Sequence, residues 1–192
     1  MATSAAARVA PLGRTILYRA WAGLECGVAG GALALAWYAL HSVAHAEFWW
    51  TKFNIAAVPL YGEAVYRLGV SAATLAGAAL LLLIYSLSGA LFGVVAGLLP
   101  RVPALAAALL CTALLHAVFA ASLRPLFGPW APTWFPTSAT LPAHLLLAAL
   151  LARWPQFHTR LVAEFAPDLG SAGAALPANS PGVRSDGSSE YD

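Results

Sequence analysis

Five ionisable side chains stand in or beside the apolar stretches of this 192-residue sequence: Glu25, His41, His45, His116 and His144. A carboxylate or an imidazole surrounded by lipid-soluble residues is costly, and each is therefore read as a candidate site. His41 and His45 lie at i and i+4, on one face of a helix, which is ligand spacing for a metal. Imidazoles converging from three helices can hold haem, another tetrapyrrole or a transition metal, and His41, His116 and His144 form the candidate set for such a cofactor. Taken singly, each imidazole reads instead as a hydrogen-bonded packing residue or an interfacial one. Glu25 is the one intramembrane acid. It is a candidate proton-relay or substrate-facing group, and the competing reading gives it to the interface or to a pair with Arg19, Arg101 or Arg153.

Compact chemical motifs are missing. The chain contains no H-E-x-x-H and no C-x-x-C-H, no nucleophile spaced to a base and no Gly-rich phosphate loop before a helix, so the sequence leans away from an enzyme. Cys26 and Cys111 have neither metal nor redox spacing and read as small buried hydrophobes. Ser86, Ser88 and Thr112 read as hydrogen-bonding groups between helices. With a net charge of +2 and no Lys/Arg cluster, nucleic acid is not an expected partner.

The elements that must carry these residues follow from composition. Sixty per cent of the residues are hydrophobic and 9% charged, with a mean hydropathy of +0.74, so the solvent for most of the chain is lipid. Lipid requires the backbone to satisfy itself, and Ala/Leu runs of this length predict an all-α polytopic transmembrane helical bundle rather than a barrel. Residues 69–99 form the longest run, without an ionisable group other than Tyr85, and 31 helical residues reach about 46 Å against a hydrocarbon core of about 30 Å. Further spans are predicted over about 20–43, 103–122 and 139–155, making four, the last being the shortest. Thr140 and Pro142 read as the start signal of that fourth span. Between the first two spans, over about 47–60, alternating aromatic and polar residues predict a short interfacial helix lying along the membrane surface. Just beyond it, Glu63 and Arg67 have i, i+4 ion-pair spacing.

Orientation comes from the basic residues. With four spans and the N-terminus inside, Arg8, Arg14, Arg19, Arg101, Arg153, Arg160 and Arg184 are cytoplasmic and Lys52, Arg67 and Arg124 are outside, in keeping with the excess of positive charge on the inner side. Both termini are then expected in the cytoplasm, as a poorly ordered leader over 1–18 and a disordered tail over 166–192, flanking a transmembrane domain over 19–165. The competing reading takes the first apolar run as a signal peptide, because Ala44-His45-Ala46 has the small-x-small form of a cleavage site.

Two glycine ladders, Gly23, Gly27, Gly31 and Gly89, Gly93, Gly97, recur every fourth residue at matched depth in the first two spans. They predict a close crossing, a glycine zipper, in the cytoplasmic half. The expected function is that of a small integral membrane protein without catalysis of its own, an accessory or assembly subunit. Its expected partners are the bilayer and either other membrane proteins or a second copy of itself. A histidine-bound cofactor protein and a small-solute carrier or channel are the alternatives.

Overall fold

The computed structural model describes residues 12–98 and 102–165. The expected tail over 166–192, the first eleven residues of the expected leader, and Arg101 lie outside the described residues. Within them the chain is all-helical, with nine α-helices: α1 Leu12–Ala44, α2 Thr51–Ala56, α3 Val58–Tyr61, α4 Ala72–Ala96, α5 Ala104–Val118, α6 Arg124–Leu126, α7 Ala131–Trp134, α8 Thr137–Leu151 and α9 Trp154–Phe165. A 3₁₀ turn covers Glu63–Arg67, and a π-helical turn, Phe119–Leu123, joins α5 to α6. Three helical stretches are long and apolar enough to cross a membrane: Thr15–Ala44, Ala72–Ala96 and Ala104–Leu126. α8 is apolar but has only 15 residues. Residues 12–18, expected in a loose leader, are instead the first turns of α1.

α1 is the central rod, and α4 and α8 both pack along it. α1 and α4 run antiparallel with glycine against glycine. A Cβ on Gly23 would fall on the Gly89 carbonyl oxygen, one on Gly89 on the Gly23 carbonyl, and one on Gly27 would lie 2.7 Å from the Tyr85 carbonyl. Gly93 lies under the Arg19 carbonyl, whereas Gly97 accommodates the stem of the Arg19 side chain. Close approach of this kind is how helices gain dispersion contact where lipid supplies no hydrophobic drive. Two further glycines serve the same end. Gly30 receives Leu147 of α8, and Gly77 of α4 receives the Phe53 carbonyl of α2.

α1 ends where Ala46 takes the left-handed conformation (φ 59°), and the Glu47 N–H returns to the Ser42 carbonyl at 2.9 Å. The following segment differs from the single surface helix expected over 47–60. It is a loop, then α2, then α3, and in α2 Lys52, Phe53, Asn54, Ile55 and Ala56 are all buried. The physical reason is that its polar residues find partners inside. The Asn54 amide donates to the carbonyls of Leu68 (2.8 Å) and Gly69 (3.2 Å) and accepts from the Thr74 hydroxyl (2.6 Å), while Thr74 Oγ1 also accepts the Ser71 N–H at the start of α4. Asn54 thus ties the extended link before α4 to α2. Asn54→Leu keeps the volume but strands two carbonyls and a hydroxyl. We expect it to lower stability by about 3 kcal/mol, read as an earlier midpoint when the protein in mild micelles is titrated with a denaturing detergent.

Two sequence readings are corrected nearby. Glu63 and Arg67 form no ion pair, the described pairs being Lys52–Glu47 and Arg160–Glu164, because in a 3₁₀ turn of about 3.0 residues the i+4 residue is rotated off the face it shares in an α-helix. α8 starts at Thr137, not at the Thr140–Pro142 signal, and Pro142 lies inside it. The Ser138 carbonyl that the missing Pro142 N–H would have met belongs to an exposed residue, so water can satisfy it. Pro125, at the far end of the third long helix, follows the π-helical turn, whose wider spacing relieves the clash a proline ring makes with the preceding turn.

α9 lies against the opposite end of α1 from α2. The Trp154 indole donates to the Arg19 carbonyl at 3.2 Å, and His158 stacks on Trp154 with centroids 5.1 Å apart. Burial and the nearby Arg19 charge hold the His158 imidazole below its ordinary pKa.

Candidate functional site

The three long apolar stretches and the shorter α8 each contribute one polar ring to the middle of the bundle: Tyr38 from α1, Tyr85 from α4, His116 from α5 and His144 from α8. Tyr38 and Tyr85 share a hydrogen bond between their hydroxyls at 2.9 Å. Tyr85 meets the His144 ring edge to face at 5.7 Å, and His144 meets His116 at 5.1 Å between centroids and 81° between planes. Phe119 and Phe135 complete an apolar wall, with Phe119 5.7 Å from the His144 ring and Phe135 5.5 Å from that of Tyr38.

Hydrogen bonding fixes the state of His144. Its Nδ1 lies 2.6 Å from the Thr140 carbonyl. A carbonyl only accepts, so Nδ1 carries the proton and the neutral ring leaves Nε2 as a bare acceptor. That nitrogen is buried and has no hydrogen-bond partner. The 3.5 Å approach of His116 Nδ1 is consequently a packing contact of two rings, since the Nδ1–H of His144 is already directed to its own helix. The orientation of His144 comes from Thr140 one turn earlier, and the i, i+4 spacing of these two residues was legible in the sequence.

A second polar group closes the end of α1. Lys52 is fully buried, and its ammonium donates to Glu47 at 2.5 Å and to the Ser42 hydroxyl at 2.9 Å. His45 Nδ1 donates to the His41 carbonyl at 2.9 Å, and the two imidazoles stack at 4.1 Å with 9° between their planes. His41 is buried with neither ring nitrogen partnered. Sequence reading assigned Lys52 to the outer surface and did not find its pairing with Glu47. The available signal was two opposite charges five residues apart behind the apolar run.

The histidines therefore meet as two pairs, His41 with His45 and His116 with His144, and not as the set His41, His116 and His144. Among the described residues no three His, Cys, Asp or Glu side chains stand where they could hold one metal ion. The parallel stack of His41 and His45 also opposes a shared ion, because ring lone pairs lie in the ring planes and do not converge between stacked faces. Glu25 accepts the Trp21 indole N–H at 2.9 Å and borders a cleft of about 390 Å³ shared with Leu161 and Glu164 of α9. It stands on the flank of the bundle, and its hydrogen-bond partner there is the Trp21 indole; neither Arg19 nor Arg153 pairs with it. Ser86, Ser88 and Thr112, expected between helices, each bond the carbonyl four residues back in their own helix, at 2.7, 2.7 and 2.9 Å. Cys26 and Cys111 are free thiols, the first buried and the second half-buried.

No family model matches the chain, and neither a curated protein nor a solved structure matches it.

Proposed function

We propose that this chain is a four-span integral membrane protein with both termini in the cytoplasm, which works without catalysis of its own as an accessory subunit beside another membrane protein. Support for the fourth span comes from depth. The Trp37 indole donates to the Ala139 carbonyl at the start of α8, and Trp154, just past its end, donates to Arg19. Residues 139–154 thus run beside α1 from Trp37 to Arg19; at about 1.5 Å per residue those 16 residues reach about 24 Å and the accompanying stretch of α1 about 27 Å, against a hydrocarbon core of about 30 Å. The aromatic loops at Phe48, Trp49 and Trp130, all exposed, suit the outer headgroup level.

The observation that carries the accessory reading is the uneven cover of the long helices. In the most apolar window of α1 44% of the residues are buried, but in that of the helix Ala104–Leu126 only 17%. α5 packs chiefly on α8, and Leu105, Leu109, Leu110, Leu114 and Val118 stand exposed. Between them the exposed Ala106, Ala113 and Ala117 allow the backbone of a neighbouring helix to come close. The occupant proposed for this face is an apolar helix of another membrane protein.

A photoreactive side chain placed at Ala113 in the native membrane is expected to yield one discrete adduct heavier than the chain, while the same group at Leu91 on α4 labels lipid alone. Lipid labelling from both positions would remove the accessory reading, and an adduct of twice the chain's own mass would replace the partner by a second copy.

A second reading has one specific observation in its favour. An imidazole whose Nδ1–H is held by a backbone carbonyl and whose Nε2 is bare is arranged as metal-bound histidines are, and His144 is of this kind. A haem or transition-metal protein would show an absorption band in the purified material that His144→Ala abolishes. A colourless, metal-free preparation from the native membrane would dispose of it.

A further inference from the structure

At the end of the bundle where α1 finishes and α4 begins, two connecting segments close on each other. The Tyr66 hydroxyl donates to the Phe127 carbonyl at 3.2 Å, and Gly128, at φ +92°, leaves room for that hydroxyl where a side chain would otherwise stand. The two segments wall a cavity of about 490 Å³ bordered by Phe48, Trp50, Tyr66, Arg67, Trp130 and Trp134. That volume is in the range of small-molecule sites. Phe48 and Trp50 stack at 4.6 Å, so one wall is held in place before anything binds.

The one formal charge in the lining of the cavity is positive, that of Arg67. Asn54, which also borders it, has its amide used by Leu68, Gly69 and Thr74. Tyr66 is committed to Phe127, and burial together with Glu63 raises its pKa, so its phenol stays neutral. What remains unpartnered is mostly donors, the guanidinium of Arg67 and the indole N–H groups of Trp50, Trp130 and Trp134, together with the Thr51 hydroxyl, which can donate or accept. An aromatic box usually suggests a cation, but a guanidinium in the wall repels one. Glu63, on the same turn as Arg67, does not line the cavity.

We propose that this cavity binds an anionic lipid from the adjoining leaflet, its phosphate on Arg67 and the indole N–H groups, its apolar part against the faces of Trp130, Trp134 and Phe48. The location selects the source. Apolar helices α1 and α4 end beside the cavity, which puts it at headgroup level, where aromatic residues with a polar edge reside and where lipid is the most abundant phosphate-bearing molecule.

The test uses the full chain in neutral phosphatidylcholine nanodiscs, with dihexanoyl phosphatidic acid as probe and tryptophan fluorescence as readout. A saturable change is expected for the wild type. Arg67→Gln weakens binding by 10-fold or more, Trp134→Ala does so as well, and Arg160→Gln, at the other end of the bundle, leaves it unchanged. Arg67 is exposed, so an unaltered thermal midpoint of Arg67→Gln separates lost binding from lost fold. Dihexanoyl phosphatidylcholine binding as tightly as the acid would overturn the proposal, and so would equal affinity of wild type and Arg67→Gln. Saturation by inorganic phosphate at the same concentration would make the site one for a free anion and likewise overturn it. None of these readouts depends on what covers α5, so this proposal and the accessory reading fail separately.

Discussion

Gly23→Leu is expected to destabilise the bundle by about 3 kcal/mol or more, the upper end of what overpacking a close contact costs. The reason is the nature of the obstacle. The first atom of any side chain at residue 23 lands on the backbone carbonyl of Gly89, with the Gly93 nitrogen 2.9 Å away, and backbone atoms inside two helices have no rotamer through which to give way. The helices must separate along their whole crossing, losing the contacts at Gly27 and Gly93 as well. Gly69→Leu is the control, since nothing lies within 4 Å of its added carbon, and an exposed substitution of that kind stays within about 0.5 kcal/mol. Detergent-titrated unfolding of the two variants side by side provides the measurement. Equal midpoints would mean that α1 and α4 do not touch in the bilayer.

The second large effect is asymmetric. Glu47→Ala leaves the Lys52 ammonium buried with the Ser42 hydroxyl as its remaining partner, and an uncompensated buried charge costs about 3 to 5 kcal/mol. Lys52→Met leaves Glu47 behind instead, and that carboxylate is 23% exposed, so water hydrates it and the loss falls to about 1 kcal/mol. The double variant Lys52→Met with Glu47→Gln should recover most of the difference, because removing both charges together is close to neutral. Similar losses for the two single variants would show that the pair is solvated and that α2 does not cover it.

These two effects differ in what a reader of the sequence could foresee. The glycine spacing is a local periodicity, and a face of small residues in a lipid-soluble helix suggests close approach whichever partner supplies the other side. The Lys52–Glu47 pair carried no comparable signal. In the sequence Lys52 follows Trp49 and Trp50 and looks like an interfacial cation; only the turn at Ala46, which brings Glu47 back over α2, and the docking of α2 on Gly77 enclose it. Asn54 repeats the lesson, since its three partners lie 14 to 20 residues away. So do the histidines. Their positions along the helices were readable from the sequence, but whether His116 faces His144 or His41 depends on the rotation of α5 about its axis. An apolar helix with polar residues on no particular face does not reveal that rotation.

By itself the sequence determined that the chain is built of apolar helices; it counted four spans, whereas three of the described helices are long and apolar enough to cross a bilayer and the fourth, α8, has 15 residues. Apolar helices follow from the free energy of transferring side chains to lipid and from the need of each backbone segment to satisfy its own hydrogen bonds, both of which are sums over neighbouring residues. Only the tertiary structure decided that α2 is buried, that α8 begins at Thr137, that the histidines pair two by two, and that loops 61 residues apart in sequence enclose an aromatic cavity. A polar side chain in a membrane protein goes wherever a partner is brought to it, and the partner's position is a property of the whole packing.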